Sequence, residues 1–96
     1  MLFVITAMDI NDGGKLRAAT RPAHFEYARD TGVIKLGGPF LDAEGNMIGS
    51  LIIMEAENLE AAQKWAANDP YAKAGVYAHY DLRPWKATVN PSGVTL

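Results

Sequence analysis

Four short apolar segments and two longer helical segments alternate along this chain, in the order strand, helix, strand, strand, helix, strand. Residues that favour strands make up the apolar runs, and turn-forming residues separate them. The predicted strands are Leu2–Met8, Val33–Leu41, Met47–Ala56 and Val76–Lys86. The predicted helices are Lys15–Thr31, which Gly32 ends, and a helix that Asn58 caps and that ends near Asn68.

This order predicts an α+β fold of the ferredoxin-like type, βαββαβ, in which an antiparallel sheet carries both helices on one face. A chain of 96 residues forms one domain with a modest core. We therefore expect a second copy to cover the other sheet face, giving a homodimer or a higher homo-oligomer. The domain is predicted to span residues 1–86, followed by a loose tail over residues 87–96.

Two proline positions leave the local structure open. Pro22 lies inside the first helical segment, where proline removes a hydrogen bond, so either the helix kinks or a new helix begins at Pro22. Gly37-Gly38-Pro39 interrupts the second strand. The triplet indicates an edge strand, a bulge, or a place where another group approaches the backbone.

The composition excludes several classes of function. The net charge of -2 is spread over interspersed acids and bases, which argues against a nucleic-acid partner. No apolar run reaches the length of a membrane span and no signal peptide is visible, so we expect a cytoplasmic protein with no membrane partner. The absence of cysteine excludes disulfides, thiolate zinc sites and cysteine nucleophiles, and the two histidines lack the spacing of metal ligands. Gly37-Gly38 lacks the features of a phosphate loop, and no cofactor is expected.

His24 is the first candidate for acid–base chemistry. If a helix begins at Pro22, His24 lies in its first turn, where the helix dipole keeps the ring neutral and suited to act as a base. If the helix continues from Lys15, then Arg17, Arg21 and His24 lie on neighbouring parts of one face. The apolar stripe of this continuous helix would be Leu16, Ala23 and Tyr27, with His24 at its border. A partly buried histidine with a purely structural role is the alternative interpretation.

Asp69 is the second candidate, and it also has two interpretations. It can cap a short turn that begins with Pro70. It can instead accept a hydrogen bond from a histidine ring, which sets the tautomer of that ring. On the last strand, Tyr77 and His79 are predicted to share one face, with a polar or interfacial role as the simpler interpretation. Ser50 lacks a nucleophile-elbow pattern but could bind a substrate oxygen.

Several of these segments together resemble the YCII-related (YciI-like) family. They are, in order, R-P-A-H, G-G-P, Gly49-Ser50, D-P-Y-A-K-A-G-V-Y and R-P-W-K, and the resemblance covers residues 1–86. It implies a dimeric α+β barrel and a site built on a His–Asp pair, here His24 and Asp69. One line of this family is similar to a dehydrochlorinase that acts on a chlorinated hydroxyhydroquinone in the degradation of aromatic compounds.

The combined interpretation is a small cofactor-free enzyme, a lyase acting on a phenolic or cyclic small molecule. His24 would move a proton, Asp69 would orient His24, and an arginine would stabilise oxyanion charge. The predicted substrate-binding residues are Arg17, Arg21, Gly38, Pro39, Ser50 and Tyr77. Two alternatives stay open: a non-catalytic dimeric module that binds a metabolite, and a hydrolase that uses water activated by His24.

Overall fold

A computed structural model describes all 96 residues. The elements are β1 (Leu2–Asp9), α1 (Gly14–Thr31), β2 (Ile34–Leu41), β3 (Met47–Glu55), α2 (Leu59–Asn68), α3 (Pro70–Lys73) and β4 (Tyr77–Trp85). The strands form one sheet in the order β2-β3-β1-β4, and every neighbouring pair is antiparallel. The predicted α+β, ferredoxin-like fold is therefore confirmed. None of the helices combines the length with the hydropathy that a membrane span requires.

Helix α1 is continuous, and the prediction that a new helix could begin at Pro22 is wrong. The helix begins at Gly14 and ends at Gly32, whose φ of 64° is left-handed and whose N–H donates to the Ala28 carbonyl. Proline removes a single hydrogen bond, while buried side chains hold the helix on both sides of it, at Arg17 and His24. His24 therefore lies inside the helix, and the proposed effect of an N-terminal dipole on its ring does not apply.

The apolar core lies between one face of the sheet and helix α2. Its buried members are Phe3, Ile5, Ile52, Met54, Ala62, Trp65 and Ala66. Two hydrogen bonds tie the end of α1 to this core: the Tyr27 hydroxyl donates to the Trp65 carbonyl over 2.8 Å, and Trp65 Nε1 donates to the Thr31 hydroxyl over 2.9 Å. The core thus holds α1 mainly through the C-terminal part of that helix.

The other half of α1 faces the sheet with polar side chains. Its two buried residues are Arg17 and His24, whereas Ala23 of the predicted apolar stripe is exposed. The predicted stripe is wrong at Ala23 because α1 does not close over a fully apolar core. It covers a polar network and a cavity, which are described below.

Strand β2 lies at the edge of the sheet, as one interpretation of Gly37-Gly38-Pro39 predicted. An edge strand tolerates proline because one side of its backbone has no partner strand. The register also shifts near both ends of β2, between Ile34 and Leu36 and between Phe40 and Leu41. On the neighbouring strand, a Cβ added to Gly49 would lie 2.3 Å from the Ala7 carbonyl oxygen, so only glycine fits there.

A bulge separates the two residues of β4 that were predicted to share a face. Tyr77 pairs with Asp9 and His79 pairs with Met8, so the register shifts by one residue between the two pairs. Because paired residues point to the same side of a sheet, Tyr77 faces the helices and His79 faces away from them. The predicted common face is therefore wrong, since simple alternation of side chains does not hold across a bulge.

No further helix or strand of the chain covers the sheet face opposite the helices. The register places Val4, Leu51, Ile53, Leu36 and Phe40 on this open face, while β4 contributes His79, Asp81 and Arg83. It is apolar over β1, β2 and β3 and polar at β4. A second copy of the chain over this face remains a prediction.

Candidate active site

The site is built on one face of α1, where Arg17, Arg21 and His24 follow one another at intervals of four and three residues. These three side chains line a cavity of about 350 Å³ between α1 and the strands β2 and β3. The other lining residues are Phe25, Ala28, Ile34, Gly37, Gly38, Pro39, Met47, Ser50, Ile52 and Tyr71. Six of the eight predicted site residues therefore meet at one cavity, and the remaining two, Asp69 and Tyr77, lie behind its wall.

Asp69 does not line the cavity itself but contacts two residues that do, His24 and Tyr71. Its carboxylate is 2% exposed, and Oδ1 lies 2.8 Å from His24 Nδ1. The same oxygen accepts the Tyr71 backbone N–H over 2.9 Å, so Asp69 also caps the short helix α3, with Pro70 at its first position. The two predicted roles of Asp69 are compatible, because the cap holds the carboxylate where the ring of His24 reaches it.

Tyr71 fixes the plane of the His24 ring. The two rings stack with centroids 4.1 Å apart and an angle of 16° between their planes. The guanidinium of Arg17 lies over the same tyrosine, 4.6 Å from its centroid. Sequence reasoning did not single out Tyr71, although it stands directly after Asp69-Pro70. An aromatic residue at the second position of a capped turn is held rigidly, and that was the available signal.

Arg17 is held by a buried carboxylate that the sequence reasoning also missed. Arg17 Nε donates to Asp9 Oδ2 over 2.7 Å and Nη2 donates to Oδ1 over 3.1 Å, a bidentate pair in which each side chain is 4% exposed. Nη2 also donates to Ser50 Oγ over 2.7 Å. The available signal was an acid directly after a buried strand, at the end of β1.

The electrostatic state of Arg17 follows from these contacts. Burial acts to lower the pKa of Arg17, but the hydrogen bonds and the negative charge of Asp9 outweigh burial, and the pKa is raised. Arg17 is therefore a fixed cation whose charge Asp9 balances. Its remaining function at the cavity is to hold the Ser50 hydroxyl in place.

Arg21 lies one turn further along α1 and has a different environment. It is half-buried, and its side-chain hydrogen bond goes to the sulfur of Met47, 3.4 Å away. Arg21 takes part in no ion pair. Across the cavity from α1, Gly38 and Pro39 of the edge strand form part of the wall.

Tyr77 does not line the cavity, so its position does not match the predicted role in substrate binding. The bulge turns its ring towards the helices, where it packs edge-on against Tyr71 with centroids 5.8 Å apart. Its hydroxyl is buried without a hydrogen-bond partner. Burial raises the pKa of Tyr77, and the nearby Ser50 hydroxyl offsets this only in part, although the two hydroxyls do not reach hydrogen-bonding geometry.

The polar groups at the cavity suit a small organic ligand better than a metal ion. No group of three or more His, Asp or Glu side chains is close enough together to hold a metal. Each carboxylate of the site already accepts hydrogen bonds from an arginine or a histidine. The ring of His24, the guanidinium of Arg21 and the Ser50 hydroxyl are left to interact with a ligand.

Comparison with known proteins assigns the family. The model of the YCII-related domain matches residues 1–86. The chain belongs to the YCII-related family. Among its relatives, protein YciI of Escherichia coli is 41% identical, over 90% of this chain and 97% of that protein. An uncharacterized protein of Haemophilus influenzae is 37% identical over the same shares of both chains.

A solved structure of a further relative has closely similar architecture. It is the 5-chloro-2-hydroxyhydroquinone dehydrochlorinase TftG of Burkholderia phenoliruptrix, in complex with 2,5-dihydroxybenzoquinone. The TM-score is 0.84 at 35% sequence identity, and the match covers 90% of this YCII-related chain and 94% of the other. The family resemblance predicted from separate sequence segments is thus confirmed.

Proposed function

We propose that this protein is a cofactor-free lyase that acts on a small hydroxylated ring, with His24 as its acid–base group. The observation that carries the proposal is the 2.8 Å contact of His24 Nδ1 with the buried Asp69 carboxylate, while the His24 ring borders the cavity. A histidine held by a carboxylate on one side and facing a cavity on the other is arranged for proton transfer.

The hydrogen bond to Asp69 determines which nitrogen of His24 reacts. A carboxylate can only accept hydrogen bonds, so the bond forms when Nδ1 carries the proton. In the neutral ring Nε2 is then unprotonated, and it is the nitrogen that can exchange a proton with a ligand. When a proton arrives on Nε2, the Asp69 carboxylate stabilises the resulting imidazolium.

The dimensions of the cavity favour a single-ring substrate. A volume of about 350 Å³ is at the small end of the range for ligand sites. The ring-stacked pair of His24 and Tyr71 forms one wall, and Ile52 and Pro39 add apolar surface. TftG, at 35% identity, acts on a chlorinated hydroxyhydroquinone and holds a dihydroxybenzoquinone in its structure. We propose a hydroxylated aromatic substrate for this chain, with a chlorinated hydroxyhydroquinone as the most concrete case.

Dehydrochlorination of such a ring needs only proton transfers. His24 removes a proton from a ring hydroxyl, and the electron pair released makes the carbon that bears chlorine basic. That carbon accepts a proton, and loss of a second hydroxyl proton then expels chloride. The ring is oxidised from hydroquinone to quinone while a C–Cl bond is replaced by a C–H bond, so electrons balance without an external oxidant. One histidine that accepts and returns a proton can serve both steps.

The site also contains a rigid chain of hydrogen bonds formed by Asp9, Arg17 and Ser50. The Asp9 pair locks the Arg17 guanidinium, which in turn locks the Ser50 hydroxyl by a 2.7 Å hydrogen bond. A hydroxyl held in this way can bind a ring oxygen without having to reorganise during the reaction.

The test is chloride release from 5-chloro-2-hydroxyhydroquinone under anaerobic conditions, for wild type and three variants. His24→Gln should lower kcat/KM by about 100- to 10,000-fold, the contribution of a positioned acid–base group. Asp69→Asn should keep the capping oxygen but lower kcat, because it no longer holds Nδ1–H as a charged acceptor. His79→Gln is the matched control, because the second histidine lies on the open sheet face.

Equal chloride release by wild type and His24→Gln would exclude His24 as the base. Tight binding of the ring compound by wild type without chloride release would instead favour the alternative of a metabolite-binding module.

A further inference from the structure

The ionisable side chains that line the cavity with nitrogen groups are all basic. Its lining includes Arg17, Arg21 and His24 but no carboxylate. Two of these three contact a carboxylate behind the cavity wall: Asp9 pairs with Arg17, and Asp69 contacts His24. Arg21 contacts none, so it is the one guanidinium of the lining without a carboxylate partner.

Arg17 is unavailable as the main anion-binding group. Three of its N–H donors are taken by Asp9 and Ser50, at distances between 2.7 and 3.1 Å. Because the Asp9 carboxylate is as deeply buried as the guanidinium, the pair acts on the cavity as a dipole rather than as a free charge. Arg17 is therefore a positioning residue, which acts on a ligand chiefly through Ser50.

Arg21 has donors to spare. The thioether of Met47 is a weak acceptor and occupies one of the five N–H groups that a guanidinium offers. Asp12 and Asp42 border a neighbouring cleft that Arg21 also reaches, yet neither forms an ion pair with it. Arg21 is half-buried as a residue and shares the cavity lining with the apolar Phe25 and Ala28, so its attraction for an anion inside the cavity is stronger than at an open surface.

We propose that the cavity recognises its ligand as an anion, a planar ring with an ionised oxygen or carboxylate, and that Arg21 binds this anionic group. The choice of a hydroxylated ring rests on the proposed function, whereas the preference for an anion rests on the charges of the lining alone. Ionisation also prepares the ring for reaction, because a bound phenolate needs one proton fewer to be removed.

The test is equilibrium binding of two pairs of ring compounds that differ in charge. The first pair is 2,5-dihydroxybenzoquinone, which is anionic at neutral pH, against neutral hydroquinone. The second is 2,5-dihydroxybenzoate against its neutral amide, which has nearly the same shape. Binding is measured by titration calorimetry for wild type, Arg21→Gln and Arg29→Gln. Arg29→Gln is the control: it removes the same charge from the same helix, but the Arg29 side chain is 75% exposed and does not line the cavity.

We expect wild type to prefer the anion in each pair, and Arg21→Gln to weaken anion binding by about 10- to 100-fold, the contribution of a charge-assisted hydrogen bond. Binding of the neutral partners should change little, and Arg29→Gln should behave like wild type. The proposal is wrong if wild type shows no preference for either anion, or if the Arg21 and Arg29 variants lose affinity equally.

These outcomes are independent of turnover. Arg21-dependent anion binding without chloride release would overturn the proposed lyase and leave the anion site standing. Chloride release by wild type together with unchanged anion affinity in Arg21→Gln would overturn the anion site and leave the proposed lyase standing.

Discussion

Replacing Asp9 with asparagine removes the charge that balances Arg17 while retaining a side chain of almost the same shape. Both partners are 4% exposed, and their bidentate contacts of 2.7 and 3.1 Å leave little room for water to replace the carboxylate. Breaking a buried ion pair on one side costs about 3–5 kcal/mol. Because Arg17 also borders the cavity, where water can solvate part of the guanidinium, we expect Asp9→Asn to lower the free energy of unfolding by about 2–4 kcal/mol.

The assay is urea unfolding at constant protein concentration, arranged as a double-mutant cycle of Asp9→Asn and Arg17→Met. Removing both charges leaves no unpaired ion, so the double variant should be more stable than the sum of the single effects implies, by about 2 kcal/mol. The pair Arg29–Asp30 provides the control, since its atoms are 3.8 Å apart and its side chains are 75% and 65% exposed. A cycle on that exposed pair should give at most about 0.5 kcal/mol.

A coupling energy between Asp9 and Arg17 no larger than that of the exposed pair would refute this reasoning. It would mean that the buried contact neither depends on its charges nor holds Arg17 in place, and Ser50 would then lose its rigid partner as well.

Two further predictions concern stability and assembly. Burial raises the pKa of Tyr77 above its usual 10.0, so the stability that neutral Tyr77 contributes is fully present below pH 10 and is lost as the pH rises above it. Tyr77→Phe should abolish this alkaline loss, and because the Tyr77 hydroxyl has no hydrogen-bond partner, the variant should be as stable as wild type or more stable at pH 7. The control is Tyr27→Phe, which loses a hydrogen bond and should lower the free energy of unfolding by about 1 kcal/mol. A larger loss of stability for Tyr77→Phe than for Tyr27→Phe would contradict this prediction. For assembly, we propose that a second copy covers the open sheet face. Sedimentation should give a dimer for wild type but a monomer for Leu51→Lys, because Leu51 lies on that face. Ala19→Lys, on the exposed side of α1, is the control and should remain dimeric. A monomeric wild type would refute the proposal.

Most of the fold could be predicted from sequence because its elements are short-range patterns. Alternating apolar residues, the Asn58 cap and Gly32 mark strands and helix ends within a few residues of one another. The failures occurred where tertiary contacts override local pattern. Contacts on both sides of Pro22 keep α1 continuous, and a bulge opposite Met8 and Asp9 reverses the side to which Tyr77 points.

The residues of the candidate site could be predicted, but the contacts between their side chains could not. His24 and Asp69 stand 45 residues apart, and no local pattern reports that their side chains meet. Asp9 and Tyr71 were missed for the same reason, because each acquires its role from a partner on another element. The distinction between Arg17 and Arg21 likewise depends on Asp9 and Ser50, which lie on other elements and contact Arg17 only.

The central claim is that His24 and Asp69 form a proton-transfer pair for elimination of hydrogen chloride. It is tested most directly by the mass of the product that wild type forms from 5-chloro-2-hydroxyhydroquinone in D₂O under anaerobic conditions. Elimination predicts a quinone with the same number of oxygens as the substrate and one deuterium on the carbon that carried chlorine, formed only when His24 is present. A product with one additional oxygen would show that water replaces chloride, and that the protein is a hydrolase rather than a lyase.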